Sequence, residues 1–174
     1  MNERAKSDVE AWYHLYSEAL VTYIYMMTRD YDQAEDLVHE TFINAFRSYA
    51  SFKGEAQVKT WLFSIAHNVT MDYLRKQKPL RLIEKVINNR PDSKPPPADV
   101  LQIKEDVQEV YTALGRLKPS YREVIILRKV KGFSIRETST ILDWSENQVK
   151  VTLHRAMPKL HEELKREGSA DEKR

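Results

Sequence analysis

Cysteine is absent from the 174-residue chain. No disulfide framework, thiolate nucleophile or cysteine-containing metal site can be built from it, and direct redox sensing through thiols is excluded. Glycine is scarce, at four residues, which disfavours a long α/β sheet with glycine-rich turns. No glycine-rich phosphate cradle is identifiable. No apolar run is long enough to cross a bilayer, and the opening MNERAKSDVE leads into no apolar segment, so a secretory leader is not expected. The expected location is the cytoplasm. The five histidines, His14, His39, His67, His154 and His161, are scattered, and no HExxH motif occurs. Neither a metal nor a cofactor is expected. The carboxylates form no connected nucleophile–base arrangement, so neither an enzyme nor a small-molecule substrate is expected.

What is present suffices for a core. Hydrophobic residues make up 41% of the chain and charged residues 31%, the composition of one ordinary domain or two small ones. Net charge is +2, unevenly spread: residues 1–78 hold 9 Lys/Arg against 11 Asp/Glu, and residues 101–174 hold 15 against 12. A basic C-terminal part is compatible with nucleic acid.

Between these parts lies RPDSKPPPAD, Arg90 to Asp99, with four prolines in ten residues. Proline removes a backbone donor and ends helices, and PPP favours an extended linker. The predicted organisation is all-α: a helical domain over 6–78, a linker over 79–100 beginning near Pro79, and a second helical domain over 101–166. Such a tether raises the effective concentration of one domain at its site once the other is bound.

Three helices are predicted before the linker, over Lys6–Arg29, Tyr31–Tyr49 and Gln57–Lys76. Their apolar residues recur at three-and-four spacing: Val9, Trp12, Tyr13, Tyr16, Leu20, Tyr23 and Ile24; then Ala34, Leu37, Val38, Thr41, Phe42, Ala45, Phe46 and Tyr49; then Trp61, Leu62, Ile65, Ala66 and Val69. Asp32 with Glu35 is the expected cap of the second. After the linker a helix over Leu101–Leu117 carries Ile103, Val107, Val110 and Leu114. Ser120 with Glu123 is expected to cap the next helix, which Gly132 ends. Ser134 with Glu137 and Ser145 with Gln148 cap the last two. Short helices cannot offset their ordering entropy alone, so these must pack together.

The last two form a helix-turn-helix pattern. Ile135, Thr138, Ser139 and Leu142 face inward on the first, and Val149, Leu153, Ala156 and Leu160 on the second. Lys150, His154 and Arg155 fall off that stripe, as a helix entering a major groove requires. The bland counterpart is an amphipathic helix with solvated cations. Pro158 is expected to bend or interrupt the last helix, and the polar tail REGSADEKR to fray. Asp143 stands in the turn where a small flexible residue is usual, and Trp144 is expected to anchor the turn.

Two segments carry a family resemblance. YREVIILRKVKGFSIRETSTILDWSENQVKVTLHRAMPKL resembles the C-terminal promoter-recognition domain of extracytoplasmic-function sigma factors, and AEDLVHETFINAFRSYASFKGEAQVKTWLFSIAHNVTMDYLRK resembles their N-terminal domain. The resemblance implies an initiation subunit that binds bacterial core RNA polymerase, recognises promoter DNA through two elements and assists opening. It also implies control by an anti-sigma factor, often membrane-associated, which would hold the chain at the inner face of the membrane.

Residue roles follow from the resemblance. In DLVHETF, Asp36, His39, Glu40 and Phe42 are the expected polymerase contacts. In FKGEAQVKTWLFSIAHNVTMDYLRKQK, Lys53, Lys59, Trp61, Asn68, Arg75 and Lys76 are expected near the start-proximal promoter element, where Trp61 is either core or base reader. His67 stands where the family often has Arg. Ser145, Asn147, Gln148, Lys150, Thr152, His154 and Arg155 are the upstream-element candidates. The common family pattern GTVKSRLHRAR is NQVKVTLHRAM here, so Val151 replaces Ser while Thr152 and Met157 replace Arg. Lost cations weaken phosphate attraction, and an altered upstream element is expected. Two rivals remain at this point: a standalone helix-turn-helix regulator that binds its operator without polymerase, and a regulatory protein-interaction module.

Overall fold

The computed structural model describes residues 2–88 and 105–171, and every element in them is helical. The chain divides into two compact units, Met1–Pro95 and Pro96–Arg174.

The first unit packs three helices against one another: α1 (Glu3–Thr28), α2 (Tyr31–Arg47) and α3 (Val58–Asn88). Asn2 caps α1 by accepting from the Ala5 N–H at 3.4 Å, so α1 starts before the predicted Lys6. Arg29, at φ 59°, closes it. The cap of α2 is Asp30, whose extended backbone lets its carboxylate accept from the Gln33 N–H at 3.1 Å. Asp32 already lies inside the helix, so the predicted Asp32–Glu35 cap does not form. The core is Leu20, Tyr23, Ile24 and Met27 from α1, Ala34, Leu37, Val38 and Phe42 from α2, and Leu62, Phe63 and Ala66 from α3. Each large apolar side chain buried here contributes roughly 1.5–3 kcal/mol before entropy. Phe63 joins the core from beside the predicted stripe, whereas Trp61 and Ile65 are only half-buried.

Helix α3 does not stop at Pro79. It continues to Asn88, so the predicted linker start is corrected. Proline forfeits one hydrogen bond and crowds one carbonyl, a local loss that flanking helical bonds can outlast. The RPDSKPPPAD segment, and Ile103, lie outside the described residues.

The second unit contains α4 (Glu105–Arg116), α5 (Pro119–Ile125), α6 (Ile135–Leu142) and α7 (Glu146–Asp171), with α7 packed against the other three. Pro119 takes the first position of α5 after an extended Lys118, as proline does. That puts Ser120 within the helix and Glu123 in the interior at 2% exposure, so the predicted Ser120–Glu123 capping box is absent. The Arg122 guanidinium instead closes α4, donating to the carbonyls of Leu114, Gly115 and Leu117 at 2.9, 2.8 and 3.0 Å. From Ile126 to Val130 the helix widens to a π-helical turn, and Gly132 at φ 74° ends it as predicted.

Helix α7 also runs through its proline, Pro158, and reaches Asp171, so the predicted interruption does not occur, and residues 166–171 of the predicted tail are helical. Leu160 is buried at 7% exposure, and Arg116 of α4 pairs with Glu163 at 3.7 Å and with Glu167. These contacts hold the second half of α7 in place.

Candidate functional site

Helix α2 separates two faces. Ala34, Leu37, Val38, Thr41, Phe42 and Ala45 are buried, while Asp36, His39 and Glu40 are exposed. Phe42 does not project with them. It is 6% exposed, and its ring meets Tyr13 of α1 edge-on at 5.0 Å between centroids. The apolar groups that do reach solvent are Ile43 at 50% and Phe46 at 41% exposure. Phe46, expected on the buried stripe, is therefore on the surface, and Ile43 lies outside that stripe. Their signal is apolar residues flanking Phe42 beyond the width one neighbouring helix can cover. A groove of about 900 Å³ runs here, with Tyr13, His39, Phe42, Ile43, Phe46 and Arg47 in its lining. His39 lies with its ring 5° from parallel to Tyr13, their Nε2 and hydroxyl 3.4 Å apart. Asp36 and Glu40 are exposed on α2, while the groove itself is lined by Lys6, Glu10 and Arg47 beside its apolar groups, so it suits a partner surface with apolar side chains and charges of both signs.

Beyond α2 the chain turns through Tyr49–Ser51 and reaches α3 by a loop in which Gly54 adopts φ 72°. Four aromatic rings support this loop. Trp61 stacks on Phe52 at 4.6 Å and meets Trp12 edge-on at 5.9 Å, and Trp12 stacks on Tyr49 at 5.8 Å. The Tyr49 hydroxyl donates to the Asp8 carboxylate at 2.5 Å. Trp61 is therefore half-buried in an aromatic cluster, neither in the deep core nor free. Lys53 is exposed in the loop. By helical spacing Trp61, Asn68, Asp72 and Arg75 share the outer side of α3, and Lys59 faces elsewhere. Asn68, Arg75 and Lys76 are exposed, and Arg75 pairs with Asp72 at 3.2 Å.

In the second unit, α6 and α7 are joined by three residues. Ser134 and Glu137 form the predicted reciprocal capping box, at 3.0 and 2.7 Å. Asp143 takes the left-handed conformation at φ 54°, an arrangement its short polar side chain tolerates. The Trp144 N–H then donates to the Ser139 carbonyl at 3.0 Å. Trp144 itself is half-buried. The Ser145 hydroxyl accepts from the Gln148 N–H at 3.1 Å, the cap predicted for α7. Thr138, Ile141 and Leu142 of α6, with Val149, Ala156 and Leu160 of α7, are buried. Ile141 joins the predicted set, while Ile135, Ser139 and Leu153 are half-buried.

The outward face of α7 brings together Asn147, Gln148, Lys150, His154 and Arg155, all exposed, beside exposed Ser145. Thr152 is half-buried toward the core side. Among the described residues neither Lys150 nor Arg155 has an ion-pair partner. Arg136, exposed in the first turn of α6, is a further cation that was not among the predicted residues. Amides and cations on one rigid face are the chemistry that a polyanion with hydrogen-bonding edges requires. Among the described residues no group of three or more His, Asp or Glu could hold a metal, and no helix is long and apolar enough to cross a membrane.

Both units match known families. The family model for Sigma-70 region 2 matches residues 12–79, and that for Sigma-70, region 4 matches residues 107–160. The ECF RNA polymerase sigma factor SigX of Bacillus subtilis is 37% identical over 92% of this chain and 86% of its own length. The ECF RNA polymerase sigma factor SigM of the same organism is 34% identical over 87% of this chain and 92% of its own. Among solved structures, the sigma factor RpoE in complex with the anti-sigma factor NepR, from Bartonella quintana, superimposes with a TM-score of 0.76 at 29% identity. That match covers 91% of this chain and 97% of the other.

Proposed function

We propose a division of labour between the two units that starts from one premise: this chain belongs to the extracytoplasmic-function sigma factors of the sigma-70 family. As a sigma factor it directs core RNA polymerase to promoters, and the polymerase, not this chain, performs the nucleotide chemistry.

The first unit binds polymerase through Asp36, His39 and Glu40, with Ile43 and Phe46 as the apolar part of the contact. Phe42 acts from beneath as the packed floor. Lys53, Asn68, Arg75 and Lys76 serve the start-proximal promoter element, and Trp61 holds the loop above it. The second unit binds the upstream element by a helix-turn-helix made of α6 and α7. The observation that carries this is the sidedness of α7, with Val149 and Ala156 fully buried and a polar, cationic face directed away from them. The chain between the end of α3 and the start of α4 joins two modules that reach separated elements on one polymerase. An anti-sigma factor covers one or both surfaces; a relative, the sigma factor RpoE of Bartonella quintana, is known in complex with an anti-sigma factor, NepR. The chain acts in the cytoplasm, and a membrane-associated anti-sigma partner would hold it at the inner face.

The test is transcription in a purified system, with core polymerase and this protein on a library of promoter fragments. Discrete RNA starts that need both components are the expected result. Operator binding without polymerase, and no discrete starts, would favour a standalone regulator instead.

A further inference from the structure

We propose that Val151 reads the C5-methyl group of a thymine in the upstream promoter element, which makes it a specificity-determining residue of α7. The proposal rests on the reading of α7 as the helix that enters the major groove.

Val151 is 38% exposed, and within α7 it is the one large hydrophobic side chain so exposed among the described residues. Its direction is set by the buried positions. Val149 and Ala156 are fully buried and Leu160 nearly so, and at about 100° per residue Val151 lies roughly 200° from Val149 around the helix. Its neighbours three and four residues away on the same face are Asn147, Gln148, His154 and Arg155, all exposed. Two methyl groups thus sit at the centre of a polar, cationic surface.

Val151 lies on the side of the helix away from the buried positions, and at 38% exposure part of its apolar surface faces out. Helix propensity does not favour it, since a β-branched residue is no better there than lysine or glutamine. The surroundings identify the occupant. A protein partner that exploited exposed apolar surface would need a larger patch, and Val151 stands alone on its face. Lys150 and Arg155 suit phosphates, and Asn147 and Gln148 have the paired donor and acceptor that match adenine in the major groove. The major groove offers hydrogen-bonding groups at every base pair and one apolar feature, the thymine methyl. An amide on adenine places that methyl on the paired base of the same step, within the neighbourhood of Val151.

The experiment uses the holoenzyme. Promoters are first selected from a random library, and each thymine of the selected upstream element is then replaced singly by deoxyuridine, which removes the methyl and keeps the base pairing. Wild-type holoenzyme is expected to bind about fourfold less well at one such position, the worth of one buried methyl-sized group. Val151→Ser, checked for unchanged helicity, is expected to lose that sensitivity. If every deoxyuridine promoter binds like its parent while Arg155→Ala still weakens upstream binding, the thymine proposal is overturned and the reading of α7 survives. If no upstream element is selected, or Val151→Ser lowers core-polymerase affinity without altering base preference, the proposal fails, and the first outcome takes the reading of α7 with it.

Discussion

At the scale of single residues, Phe42 and Glu40 sit two positions apart on α2 and do different work. The phenylalanine is enclosed against Tyr13, and the glutamate stands in solvent. Phe42→Ala should destabilise the first unit by roughly 3–5 kcal/mol, through the cavity it leaves. Glu40→Ala should stay within about 0.5 kcal/mol of wild type yet lower affinity for core polymerase. Urea denaturation and a core-binding titration, run side by side, separate the two. An unchanged urea midpoint for Phe42→Ala would contradict its place in the core.

Tyr49 offers a second residue-level test. Its hydrogen bond to Asp8, more than its burial or the carboxylate's charge, raises the hydroxyl above the ordinary pKa of 10.0. The folded state therefore favours neutral Tyr49. That preference is fully present below the unfolded pKa and is lost as pH rises through the higher folded value. In Asp8→Asn the ionisation should fall back toward 10.0, which a near-ultraviolet absorbance titration detects. No difference between the two proteins would count against the bond.

At the scale of elements, α7 carries a proline that its own sequence would place at an end. Pro158 costs the helix a donor and crowds a carbonyl, while Leu160, Glu163 and Glu167 beyond it are fixed to the rest of the unit. Pro158→Ala should therefore stabilise the second unit, by up to about 3 kcal/mol, visible as a raised thermal midpoint. A lowered midpoint would mean that the proline sets a shape the packing needs. The capping box before α6 works the other way. Ser134→Ala should cost about 1 kcal/mol, because it strands the Glu137 N–H and releases the reciprocal bond. Both capping pairs that formed, at Ser134 and Ser145, precede a free helix start. The two that failed had their candidate cap inside a helix already begun by Asp30 or Pro119.

At the scale of the whole molecule, each unit has its own buried core, so each should fold without the other. Peptides covering residues 1–95 and 96–174 should each unfold cooperatively, and a fragment with no transition would show dependence on its neighbour. Binding of the holoenzyme to DNA should also be salt-sensitive. If Lys150 and Arg155 each meet a phosphate, replacing either with Gln should reduce the slope of log affinity against log salt by about 1. An unchanged slope would assign that side chain to a base edge or to solvent.

The all-α class, the presence of two helical units, most of the buried stripes and the outward position of Lys150, His154 and Arg155 on α7 were legible in the amino-acid order alone. Periodicity and local capping depend on spacing along the chain, and spacing is all that a helix needs to sort its faces. How far α3 and α7 run was not legible there, because a proline's local cost is set against packing from residues remote in sequence. Packing also decides that Phe42 is floor while Ile43 and Phe46 are surface, since one stripe does not reveal how many helices cover it. Val151 departs from the common family pattern, and its direction follows from the buried positions of α7. A side chain's exposure depends on what the other helices enclose: Val149 is fully buried, whereas Val151, two residues on, is 38% exposed.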